Sequence, residues 1–197
     1  MEKAMVKELL LQSLEHELGG VKVYEAALKC AVNDDLKEEC EKYHQETERH
    51  VQILHDVCTQ MQLDPEEQTP GRKIVHAMGQ SLVKAMEAAL ATGDKEGAQC
   101  VACDCVVLAE TKDHANWGLI GEVSKKATGA EGKALKEAYA EVEDQEDEHL
   151  YHSKGWAREL ALEALGLKAV LPPPEERKNV HSAVGAARAK AERTKMR

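Results

Sequence analysis

Four groups of residues interrupt apolar helical stripes: Glu17, His50, Glu110, and the pair Glu146 and His149. At about 100° per residue, Val6, Leu10, Leu14, Val21, Tyr24 and Leu28 share one face, with Glu17 at its centre. Leu36, Cys40, Tyr43, Leu54, Val57 and Met61 form a second stripe that contains Thr47 and His50. Cys103, Val106, Val107 and Trp117 flank Glu110, with His114 one turn on. Leu135, Tyr139, Val142, Ala157 and Leu160 flank Glu146, and His149 lies beside it. An unpaired carboxylate among such neighbours costs several kcal/mol or takes up a proton. One instance is an ordinary core histidine or a glutamate at a helix edge. Four, one per long helix, point to a shared cation.

The spacing supports that chemistry. Positions i and i+3 share a helix face, so Glu146 and His149 reach one ion together. Carboxylate oxygen with neutral imidazole suits iron, manganese or zinc. On the second helix the carboxylate position reads Thr47, and Glu46 lies at the stripe's edge. Glu46 and His114 are therefore the alternatives for completing the ligand set of Glu17, His50, Glu110, Glu146 and His149, and His114, within about 40° of Glu110 on its helix, is the better placed by angle. His44, His55 and His152 fall toward edges and read as solvated surface. Tyr24, Tyr43 and Tyr139 fall on inner faces, as core filling or as hydrogen-bond partners of the ligands. Cys100, Cys103 and Cys105 form a C-x-x-C-x-C run. Cys105 points away from Cys103 on a helix, so the run reads as small core positions, not as a zinc site.

Helices must carry these residues. The periodicity and breakers predict them near 3–31, 34–63, 72–91, 95–127 and 131–165. Asp34 is the expected cap of the second helix, and Gly166 the stop of the last. The helix near 72–91 has no buried acidic centre and links two long hairpins. These share a loose plan: a buried Glu on the first helix, then an acid and a His on the second. Residues 1–171 are read as an all-α bundle, and 172–197 as a Pro-rich segment and a basic tail, weakly helical or disordered.

Composition agrees. The chain has 197 residues, no Phe, and a formal charge of −10. That length suffices for one sizeable core. From Glu175 onward seven Lys/Arg face three Glu, so the tail is basic and the body more acidic still. An acidic body argues against nucleic acid as a partner. No apolar run reaches the ~20 residues that span a bilayer, and the first residues lack a signal-peptide pattern. No membrane partner is expected, and the location expected is cytoplasmic. Disulfides are not expected there.

A Glu from each of two helices plus Glu-x-x-His from two others is the recurring di-iron and di-manganese arrangement. Over about residues 3–165 the chain resembles the ferritin-like superfamily of ferritins, bacterioferritins and rubrerythrins. Glu17 with Tyr24, Glu110, and Glu146-x-x-His149 carry the likeness; Thr47-x-x-His50 departs from it. The resemblance implies an antiparallel four-helix bundle holding iron, two ions by preference, with manganese or zinc fitting the same donors. It implies an oxidoreductase reacting with O₂ or peroxide, of ferroxidase or peroxidase type. A homo-oligomer is expected. Two other functions stand beside it: iron storage in a cage, and a helical interaction module whose basic tail docks on an acidic partner.

Overall fold

A computed structural model describes residues 1–196. Among them the chain is helical throughout, with no strand. Five long helices come first: α1 (Lys3–Cys30), α2 (Asp34–Gln60), α3 (Pro70–Ala91), α4 (Lys95–Lys126) and α5 (Gly129–Ala164). Two short ones follow, α6 (Pro174–Arg177) and α7 (Ala183–Glu192), then a closing turn over Arg193–Lys195. No helix is long and apolar enough to cross a membrane.

Local chemistry sets the boundaries. Asn33, not Asp34, caps α2: its side chain accepts from the Leu36 N–H at 3.1 Å. One oxygen in the Ncap geometry suffices, and Asp34 moves into the first turn beside Asp35, where negative charge faces the helix dipole. Thr69 caps α3 through the Arg72 N–H, which lets Pro70 open the helix two residues before the sequence reading placed it. Asp94 caps α4. At the end of α5, Gly166 takes φ 71°, and the N–H groups of Gly166 and Leu167 close onto the carbonyls of Glu163 and Leu162. That glycine stop was expected.

Packing makes a ring: α1 against α2, α2 against α5, α5 against α4, and α4 against α1. Short links at 31–33 and 127–128 make each hairpin antiparallel. Helix α3 lies outside, on α1 and α4. Its buried Arg72 donates through Nε to Glu15 Oε2 at 2.7 Å, and Gly79 meets Gly19 where the backbones cross.

Two apolar clusters fill the ring. One gathers Val6, Leu10, Leu14, Leu54, Val57, Trp117, Leu135 and Val142 toward one end. The other gathers Val23, Ala27, Leu36, Tyr43, Ala102, Val106, Trp156 and Leu160 toward the opposite end. Residues 17, 50, 110, 146 and 149 fall in the gap between them. Both ends of that gap are stopped with hydrocarbon.

The segment after Pro172 is not a free arm. Pro174 opens α6, whose Glu175 is buried and paired bidentately with Arg158 of α5, both contacts at 2.9 Å. Glu176 accepts from the Trp156 indole N–H at 2.7 Å, and Glu159 accepts from the Val170 N–H at 2.8 Å. Arg193 lies 3.4 Å from Glu159. Charge-assisted bonds hold a stretch whose composition offered little apolar area.

Candidate metal centre

Glu17 from α1, His50 from α2, Glu110 from α4, and Glu146 and His149 from α5 meet in the bundle centre, each at most 4% exposed. They form two sets of three donors, Glu17–His50–Glu146 and Glu110–Glu146–His149, with all ligand atoms of a set within 4.8 Å of one another. Glu146 belongs to both. His50 Nδ1 lies 3.1 Å from Glu146 Oε1 and 3.5 Å from Glu17 Oε1. His149 Nδ1 lies 3.6 Å from Glu110 Oε2. Donors bound to one ion at about 2.0–2.2 Å stand roughly 3.0–3.6 Å apart, so these separations match a common coordination sphere.

The free atoms point the same way. Glu17 Oε2, His50 Nδ1, Glu110 Oε2, both oxygens of Glu146 and His149 Nδ1 are buried without a hydrogen-bond partner. Each such orphan is costly, and here they gather in one place. Their second atoms are held, and for Glu17 this is the oxygen nearer His50. Trp117 donates from its indole to Glu17 Oε1 at 2.7 Å, and Tyr24 donates to Glu110 Oε1 at 2.8 Å. His149 Nε2 meets Glu46 Oε2 at 2.8 Å, and His50 Nε2 meets Gln145 Oε1 at 2.8 Å. A carboxylate only accepts, so His149 carries its proton on Nε2 and turns Nδ1 to the centre.

These holds repeat between the hairpins. Glu17 and Tyr24 on α1 correspond to Glu110 and Trp117 on α4. Each carboxylate is gripped by the aromatic that stands seven residues beyond its counterpart. Glu46 and His50 on α2 correspond to Gln145 and His149 on α5. Each histidine is gripped by the residue four before its counterpart. The floor breaks the pattern: Glu146 on α5 corresponds to Thr47 on α2. A Cβ on Gly20 would stand 3.2 Å from the Thr47 methyl, so a small pair fills that place.

Burial pushes the Glu146 carboxyl up, with Glu17 and Glu110 adding to it against the His50 contact. Burial opposes charge on His149, but Glu110 and Glu46 outweigh it and raise the ring to about 9. His50 is raised in the same way by Glu17 and Glu146. Both imidazoles and the Glu146 carboxyl are thus pushed toward their protonated forms. Oxygen and imidazole donors with no thiolate fit iron, manganese or zinc.

The remaining expectations divide. Glu46 reaches inward, though to the far nitrogen of His149 and not to the ligand atoms. His114 does not join the cluster: it is partly exposed and pairs with Asp147 at 2.7 Å. Tyr43 lies against His149 with ring centroids 4.1 Å apart and planes tilted by 40°, whereas Tyr139 lies outside and donates to Glu143. His55 is exposed and His44 half-buried, but His152 is only 1% exposed, a correction to its reading as surface. Its Nδ1 meets Glu39 at 2.9 Å, and α6 and Trp156 close over that end of α5. All six cysteines are free thiols, and none joins the donor sets found among the described residues.

Asp113 was not anticipated. It is 4% exposed, its Oδ1 has no partner, and burial with Glu17, Glu146 and Glu110 beside it raises its carboxyl well above the usual range. A fourth carboxylate therefore stands at the rim of the donor sets, on the helix that bears Glu110.

No protein-family model, no characterised protein and no solved structure matches this chain.

Proposed function

We propose that the chain is a ferritin-like four-helix metalloprotein, a non-haem oxidoreductase holding two transition-metal ions, iron by preference, and reacting with O₂ or peroxide. The observation that carries the reading is the pair of donor triads sharing Glu146, whose five residues leave six buried side-chain atoms without a hydrogen-bond partner. Iron bound there would supply one-electron chemistry and open coordination positions.

The chain's own residues do the rest. Glu146 would hold both ions, since it alone belongs to both triads. Glu17 and Glu110 would each hold one ion, with one oxygen fixed by an aromatic donor and the other without a partner. His50 and His149 present Nδ1. The apolar clusters at both ends keep bulk water out, which strengthens each charge interaction inside. Asp113 is buried among Glu17, Glu146 and Glu110, and burial with those charges pushes its carboxyl toward the neutral form. Thr47 favours a centre with a single bridging carboxylate.

Elemental analysis of protein purified without chelators, followed by anaerobic titration with ferrous iron, tests this. Two equivalents per chain are expected, with dioxygen consumed on mixing. Glu146→Ala should lose most of the metal. Unchanged metal content in that variant would overturn the assignment.

A further inference from the structure

The bundle end beyond Tyr24 and Tyr43 encloses a cavity with about 20 Å³ of room for the centre of a water-sized sphere. Roughly 10–15 Å³ on this measure admits one water, so the space suits a single small molecule. Ala27, Leu36, Cys40, Ala102, Cys103 and Val106 line it, each at most 6% exposed. These side chains offer hydrocarbon and thiol, no strong donor or acceptor.

Of the polar groups at its edge, Gln99 Oε1 and the Tyr24 and Tyr43 hydroxyls are already engaged; the Ser153 hydroxyl also borders it, one group where a water needs at least two. Gln99 Oε1 accepts from the N–H groups of Val32 and Asn33, both at 2.7 Å. Tyr24 donates to Glu110, and Tyr43 to Glu39. A trapped water needs two to four partners, and hydrogen peroxide is as demanding. An apolar space of this kind stays dry and takes an apolar guest.

Its position gives the guest a use. Two phenol rings separate it from the donor cluster. Tyr24 bonds Glu110 through its hydroxyl, and Tyr43 lies against His149. A molecule leaving through that wall arrives at the second donor triad.

We propose that this cavity is a holding site for dioxygen, and that dioxygen, not peroxide, is the oxidant it passes to the metal centre. The delivery role rests on the metalloprotein reading above; the affinity for an apolar gas needs no metal.

Xenon is the probe. Crystals of the metal-free protein under xenon pressure should show one atom between Tyr24, Tyr43 and Ala102. Ala102→Leu should remove it, and Ala27→Val should weaken it, with helicity checked by circular dichroism in both. In iron-loaded protein, Ala102→Leu should raise the KM for dioxygen several-fold at unchanged kcat, and leave peroxide-driven turnover unchanged. No xenon at this place in the wild type overturns the proposal. Equal losses with both oxidants overturn the dioxygen assignment. Xenon bound in protein that takes up no iron overturns the metal reading and the delivery role with it, whereas iron bound without xenon overturns the cavity alone.

Discussion

Glu46 Oε2 accepts from His149 Nε2 across 2.8 Å, from the opposite hairpin. The bond fixes the ring and makes Nδ1 the more basic nitrogen. Removing a carboxylate behind a ligating histidine commonly costs ~10–100-fold in metal affinity. Glu46→Gln should fall in that range by competition with a chelator. His114→Ala should leave affinity close to wild type, because His114 faces Asp147 and not the cluster. The reverse order would make His114 the ligand.

Tyr24 and Trp117 make a related prediction. Tyr24→Phe strips the donor from buried Glu110 Oε1, and an unsatisfied buried acceptor costs about 1–3 kcal/mol. Urea unfolding of the metal-free variant should show that loss. Metal should restore part of it, by recruiting the same carboxylate. A variant as stable as wild type would mean the hydroxyl contributes nothing.

Metal must displace protons from the cluster. His149 is raised to about 9 by Glu110 and Glu46 against the cost of burial, and burial raises Glu146. Affinity should therefore climb with pH through neutrality and level off above roughly pH 9, with protons released on loading. A pH indicator in weakly buffered solution measures the release. Loading without proton release, or affinity flat across that range, contradicts the prediction.

At the far end of α5 the sign concerns stability. Burial, with Glu39 nearby, pushes Glu176 up to about 7. The folded state favours the neutral acid, so its contribution is complete below the unfolded value of about 4.3 and is lost as pH rises through 7. The α6 contact with Trp156 should loosen over that window. Trp156 fluorescence in a Trp117→Phe background reads it, and Glu176→Gln should flatten the curve.

The helices and most of the centre were legible because a 3.6-residue period exposes a polar residue in an apolar stripe. Glu17, His50, Glu110, Glu146 and His149 all announce themselves so. The angle from Glu110, about 40°, favoured His114 over Glu46 as the completing ligand, yet the buried face of α4 turns the other way, to Asp113. The series Val106, Asp113, Ile120 at seven-residue steps carried that signal, and all three are buried. Glu46 was visible only as an edge residue, because a contact to a ring on another helix leaves no mark in its own periodicity. The packing of α6 was hidden for the same reason. Arg158 and Glu175 are 17 residues apart, and nothing in their local pattern pairs them.

All four gripping contacts cross from one hairpin to the other. Trp117 reaches Glu17, Tyr24 reaches Glu110, Gln145 reaches His50, and Glu46 reaches His149. An isolated hairpin would thus carry ligands with nothing to aim them. The centre is a property of the seam, and an ion bound there acts as a clasp. Whatever free energy it gains on binding opposes the parting of the two halves, so separation under load or denaturant and release of the ion become one event.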